Sequence, residues 1–300
     1  MGSVAVLGPG GVGGFLAAAL SRGGEDVIVV AREETAEIID RTGISVQSER
    51  LGTFASHPRA VAHLQEPVPL LFVAAKATGL DAALERIETP PQLIVPLLNG
   101  IEHLPRLRRR FGAGIVAAGT IRIESDRPQP GRIVQTSPFL NVELAGARRD
   151  QLQEVVERLE RSQVPACIGS SESHILWAKL VRLVALALTT SAADRPLGFL
   201  REDPGWRQAL IDVIEEAAAA AGAEGARIDP AATLGELQAA HPELGSSMQR
   251  DIAAGREPEL DAIAGAVLRA GARHGLCSPT IVRLAEMVAE RAGIEPPRVG

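Results

Sequence analysis

Only two cysteines, Cys167 and Cys277, occur in the 300-residue chain, far apart and in no C-x-x-C. Neither a zinc site nor a redox pair is indicated, and a reducing, cytoplasmic setting is expected. The six histidines (His57, His63, His103, His174, His241 and His274) show no ligand spacing such as H-x-x-x-H, so no metal is expected. Positive charge is not in excess either: a formal net charge of -6 gives no support to nucleic acid as a partner. The one basic cluster, Arg106 to Arg110, reads as a solvated helix face, with an anion site as the alternative. An apolar strand starts at residue 4 and runs straight into a glycine turn, so no signal peptide is expected. The most apolar later segment, Ile175 to Ala193, carries Lys179 and Arg182 near one end and reads as a buried helix, not a membrane span. No internal repeat is evident.

What is present is the composition of a folded, water-exposed chain. With 46% hydrophobic and 23% charged residues, disorder is not expected, and the length suffices for two ordinary domains. The most informative stretch is Val4 to Gly14, an apolar strand that turns on glycine into a helix. Gly8, Gly10 and Gly13 form G-x-G-x-x-G after a strand and before the apolar run Phe15 to Leu20. Gly8 allows a tight turn, Gly10 lets a pyrophosphate approach the backbone, and Gly13 lets helix and strand lie close. The N–H groups that open the helix would face the phosphates.

Asp26 to Ala31 reads as a second strand, closed by Arg32. At that point of such a fold an acid binds the ribose hydroxyl of NAD, whereas an arginine suits the 2′-phosphate of NADP. Arg32 therefore argues for NADPH, while Glu33 and Glu34 leave open an acid turned to the ribose. Ile44 to Val46 and Leu51 to Phe54 suggest a small edge pair. Leu70 to Ala75 and Leu93 to Leu98 read as buried parallel strands that end in Lys76 and in Asn99-Gly100. Gly8, Arg32, Lys76 and Asn99 would thus all fall beyond the carboxyl ends of strands, where ligands of open α/β sheets sit. Ile115 to Ile123 and Arg132 to Leu144 read as further strands around a turn at Arg127 to Gly131, and Asp150 to Ser162 as an amphipathic helix.

Strands then stop. Helices are expected at Ser173 to Ala193, Asp203 to Gly222, Ser247 to Ala254, Glu259 to His274 and Ile281 to Ala292. The fold class is therefore α/β: a Rossmann-type dinucleotide-binding domain over 1–166, followed by an all-α substrate or dimerisation domain over 167–300. Reduction of a carbonyl requires charge where an alkoxide develops. Lys179, flanked by Trp177 and Leu180, is a candidate general acid, because a desolvated ammonium has a lowered pKa.

Gly8-x-Gly10-x-x-Gly13-Gly14, Ala31-Arg32, Lys76-Ala77, Asn99-Gly100, Trp177-x-Lys179-Leu180, Ser246-Ser247-Met248-Gln249-x-Asp251 and Glu259-x-Asp261 occur in this order. In order and spacing they resemble the ketopantoate reductase (2-dehydropantoate 2-reductase) family over essentially the whole chain. The resemblance implies NADPH-dependent reduction of a small-molecule 2-oxo acid, ketopantoate to pantoate in pantothenate biosynthesis. It implies Lys179 as proton donor, with Glu259 and Asn99 completing the catalytic group. Asn99 and Ser247 would contact substrate. The cofactor set would be Gly8, Pro9, Gly10, Gly11, Val12, Gly13, Arg32, Lys76, Asn99 and Glu259. Ser246-x-x-Gln249 also fits a capping box, so the serines can equally start a helix, and Glu259 and Asp261 can equally be first-turn acids.

One departure stands out. Where the family usually has asparagines associated with substrate, this chain has Leu183, Ala187 and Leu197. Positions 179, 183 and 187 share a helix face, so a surface for polar substrate groups becomes apolar. The alternatives are a member that reduces a more apolar keto acid or an imine, or a non-catalytic NADP-binding sensor. The apolar helices of the second domain read either as core or as a homodimer surface. No nucleic acid or membrane partner is expected.

Overall fold

The computed structural model describes residues Gly2 to Arg298. The chain forms two compact units. The first comprises residues up to Leu98 together with His103–Ile175, and the second comprises Asn99–Glu102 together with residues from Leu176 onward. The chain passes from one to the other within a helix at Ile175, not between 166 and 167, because β12 (Ala166–Ile168) still pairs with a strand of the first unit.

In the first unit the short, fully apolar runs become a parallel sheet, as expected of strands buried on both faces. β1 (Val4–Leu7) pairs with β2 (Val27–Val30), Val4 opposite Val27. Two further strands, β3 (Ile44–Ser48) and β4 (Gly52–Ser56), form the expected small pair, and they run antiparallel. β5 (Arg59–Val61), β6 (Leu70–Val73) and β7 (Ile94–Pro96) complete the main sheet, whose order is β5-β2-β1-β6-β7. Helix α1 (Gly11–Arg22) follows β1 and buries Phe15, Leu16 and Leu20 completely. β8 (Ala118–Arg122) and β11 (Asn141–Ala145) join β12 in a three-stranded sheet; β9 (Ser125–Gln129) and β10 (Arg132–Gln135) join β3 and β4 in a four-stranded one.

Two expectations are corrected here. The run Arg132 to Leu144 is two strands in different sheets, because Pro138 has no N–H to pair and Ser137 turns the chain. The buried Ser137 Oγ accepts from the Glu124 N–H at 2.9 Å and donates to the Phe139 carbonyl at 2.6 Å. The turn expected at Arg127 to Gly131 narrows to its last two residues, since β9 runs through to Gln129.

The second unit is helical. Helices at Glu172–Ala193, Leu197–Glu202, Pro204–Ala223, Pro230–Ala239, Ser247–Ala253, Ala266–Arg273 and Pro279–Ala292 surround one apolar cluster that includes Trp177, Val184, Leu210, Leu237, Ile263 and Leu284. The first of them is long and apolar enough to cross a membrane, with a mean hydropathy of 1.5, yet 78% of that stretch is buried inside the fold. The helix at Pro230–Ala239 was not anticipated, although Asp229 caps it by accepting from the Ala231 N–H and Pro230 opens it. The helix expected from Glu259 to His274 starts instead with a π-helical segment, Asp261–Gly265.

Candidate active site

The first unit supplies a cradle beyond the carboxyl ends of β1, β2 and β6. Gly8 turns with φ of +87°, and a Cβ there would stand 2.8 Å from the Ala75 nitrogen. At Gly13 a Cβ would lie 2.2 Å from the Gly8 carbonyl oxygen, so strand and helix touch. Gly10 is different: no atom lies within 4 Å of where its Cβ would be, and open space faces the first turn of α1. The N–H groups of Gly11, Val12 and Gly13 precede the first intrahelical bond, from Gly14 to the Gly10 carbonyl at 2.8 Å. Gly11 has a packing task as well, since a Cβ would strike the Ser125 carbonyl oxygen at 2.2 Å. Pro9 is buried, and Val12 packs against the core of the unit.

Arg32 stands at the N-terminus of the helix Glu33–Thr42, exposed, and its guanidinium makes no hydrogen bond or ion pair among the described residues. Glu33 is engaged elsewhere. Arg86 donates to its two carboxylate oxygens at 3.1 and 3.3 Å, and this pairing holds the Glu33 carboxyl below its usual range. Glu34 and Lys76 are exposed.

The second unit holds the other cluster. The Asn99 side-chain amide donates to Glu259 Oε2 at 2.9 Å, joining residues 160 positions apart. Backbone contact supports this bond: Gly100 has φ of +79°, and a Cβ there would stand 2.1 Å from the Ala262 carbonyl oxygen. Glu259 lies two residues before the π-helical turn, a feature often associated with functional positions. Lys179 lies on the helix Glu172–Ala193 between buried Trp177 and Leu180. Desolvation lowers its ammonium from an ordinary 10.5 to about 8, and the negative charge of Glu259 opposes part of that fall. A partly buried carboxylate, an amide and an easily deprotonated ammonium are the parts a proton-transfer site needs.

Ser246 and Ser247 separate in their surroundings. Ser246 Oγ caps the helix Ser247–Ala253 by accepting from the Gln249 N–H at 3.1 Å, and is buried against Thr190. Ser247 is exposed in the first turn. Of the three apolar positions singled out in the sequence, Ala187 and Leu197 are core residues, 1% and 0% exposed, so neither presents surface to a ligand. Leu183 packs on the same cluster while remaining partly exposed. Local reading missed Glu102 and Arg269, whose two-toothed ion pair spans 167 positions of sequence and carries no local signal.

A parallel sheet with open space at the glycine turn after its first strand, followed by an all-helical unit, is the architecture of a dinucleotide-binding protein. The family described as ketopantoate reductase PanE/ApbA matches residues 4–145, and its C-terminal counterpart matches residues 173–292. This chain belongs to the ketopantoate reductase family. It is 28% identical over 288 residues to a 2-dehydropantoate 2-reductase of Caulobacter vibrioides, covering 93% of this chain and 95% of that one. It is 27% identical over 286 residues to the uncharacterized oxidoreductase YkpB of Bacillus subtilis, covering 92% and 94%. Among solved structures, a 2-dehydropantoate 2-reductase from Geobacter metallireducens shares the fold with a TM-score of 0.88 at 24% identity, covering 96% of this chain and 99% of that one. So does a D-mandelate dehydrogenase with NADH and anilino(oxo)acetate, with a TM-score of 0.88 at 19% identity, covering 97% and 98%.

Proposed function

We propose that this protein is an NADPH-dependent reductase that converts a 2-oxo acid to a 2-hydroxy acid, with ketopantoate as the first substrate to test. The observation that carries this reading is the Asn99–Glu259 hydrogen bond at 2.9 Å in the same unit as Lys179, whose ammonium desolvation lowers to about 8 against the opposing charge of Glu259. The opening at Gly10 and the unpaired Arg32 fit a pyrophosphate and a 2′-phosphate, with Pro9, Gly11, Val12 and Gly13 framing the turn and Lys76 at the next strand end. The engagement of Glu33 with Arg86 removes one competing acid from the ribose. A nucleotide held there would supply hydride for the carbonyl carbon.

Lys179 then donates the proton that the new alkoxide requires, a role for which a pKa near the working pH is suited. Glu259 keeps Lys179 protonated and holds the Asn99 amide, which orients the substrate; exposed Ser247 offers a hydroxyl to the same substrate. Reduction should therefore fall as pH rises through about 8, because the acid form of Lys179 is lost.

A second reading concerns which 2-oxo acid is taken. Leu183 lies one helical turn beyond Lys179 and is partly exposed, which favours a substrate less hydroxylated than ketopantoate. Steady-state rates with NADPH and NADH on ketopantoate, on apolar 2-oxo acids and on imines test both readings. Efficient ketopantoate turnover with poor turnover of apolar analogues refutes the second. Tight NADPH binding with no turnover of any of these compounds refutes the first and identifies a sensor. Sedimentation of the purified protein tests the homodimer, which the apolar helical unit suggests.

A further inference from the structure

We infer that Arg269 is a positioning residue that clamps together the two chain segments carrying Asn99 and Glu259. This rests on the reductase reading for its catalytic meaning, and on geometry for everything else. Arg269 Nε and Nη2 donate to the two Glu102 carboxylate oxygens at 2.8 and 2.7 Å, and Nη1 donates to Asp261 Oδ1 at 2.7 Å. Nη2 also reaches the Asp261 backbone carbonyl at 3.2 Å. Glu102 lies three residues after Asn99, and Asp261 two residues after Glu259. One guanidinium fork therefore grips both strands of chain just beyond the pair that meets at 2.9 Å.

Two glycines leave room for this grip. A Cβ on Gly265 would stand 2.5 Å from Asp261 Oδ1 and 2.9 Å from Arg269 Nη1, so the fork lies directly over that residue. Gly100 lets the first segment press against the Ala262 carbonyl of the second. The bonds to Glu102 and Asp261 also raise the Arg269 pKa, so its charge is permanent across the range in which an enzyme works. Asp261, which stands in the sequence motif without an obvious task, acquires one: its side chain and its carbonyl fix the π-helical turn behind Glu259.

The test compares wild type with Arg269→Gln and Arg269→Lys. The Lys179 pKa is read by NMR in protein labelled with 13C at lysine, and kcat and KM are measured with NADPH and a 2-oxo acid. If the clamp holds Glu259 in place, both substitutions lower the Lys179 pKa, as Glu259→Gln does. Adding Glu259→Gln to either then lowers it no further. Loss of the Arg269 charge by itself would raise that pKa, so the sign separates positioning from simple electrostatics. Turnover should fall by up to about 100-fold, mainly in kcat, and lysine should not restore it because one ammonium cannot reproduce the fork. An unchanged or raised Lys179 pKa in folded Arg269→Lys protein overturns the inference. Should the glutamine variant fail to fold, the lysine variant decides alone. The NMR reading does not depend on turnover, so absence of activity in the wild type would count against the reductase reading and leave this result standing.

Discussion

Replacing Lys179 by methionine should stabilise the protein while disabling it. The ammonium is brought from 10.5 to about 8 by desolvation, against the pull of Glu259. A tenfold change in a proton equilibrium is about 1.4 kcal/mol, so keeping the charged form in this place costs the folded state roughly 3 kcal/mol. Because Lys179 is only partly buried as a residue, water reduces that figure, and a gain of about 1–3 kcal/mol is the expected outcome. Methionine has similar length and no charge, so it should recover the cost without opening a cavity.

The pH dependence gives the sign. Below pH 8 the lysine is protonated in both folded and unfolded chains, and the methionine variant holds its full advantage. Between 8 and 10.5 the folded wild type sheds the proton while the unfolded chain keeps it, so wild-type stability rises and the advantage shrinks. Denaturant unfolding followed at pH 7 and again near pH 10 measures both. Turnover should fall by roughly two to four orders of magnitude. A variant no more stable than wild type at pH 7, or an advantage that does not narrow with pH, would refute the reasoning.

Arg32→Ala should raise KM for NADPH by roughly ten- to a hundredfold, the worth of a charged phosphate contact, and leave KM for NADH nearly unchanged in the same assay. Gly100→Ala places a side chain at φ of +79° and 2.1 Å from the Ala262 carbonyl oxygen; a loss of about 2 kcal/mol or more in denaturant unfolding is expected, together with loss of activity. Leu183→Asn should shift the ratio of kcat/KM for ketopantoate over an apolar 2-oxo acid by about tenfold or more toward ketopantoate; no change would remove Leu183 from substrate selection. Ala187→Asn, by contrast, buries an amide in a fully packed core and should show itself in stability before specificity.

The parts of this molecule legible in the sequence are those whose cause is local. Val4 to Gly14 shows its strand, turn and helix because apolar run, glycine spacing and helix pattern are all contiguous. Lys179 is recognisable because its apolar neighbours Trp177 and Leu180 state its desolvation in advance. Where long-range packing decides, the reading fails. Ala187 and Leu197 share a family position or a helix face with substrate groups, yet the helical core absorbs both. The split of Arg132 to Leu144 between two sheets depends on which strands β10 and β11 find, and only Pro138 hinted at it. The fork from Arg269 to Glu102 joins residues 167 positions apart, and no window of neighbouring residues contains both ends.

The four residues Asn99–Glu102 follow a strand of the first unit but belong to the second, with Ile101 packed against the helical core. The helical half is thus not a detachable cassette. A fragment beginning after Ile175 would lack its own Asn99, Ile101 and Glu102, and Arg269 would keep Asp261 but lose its two bonds to Glu102.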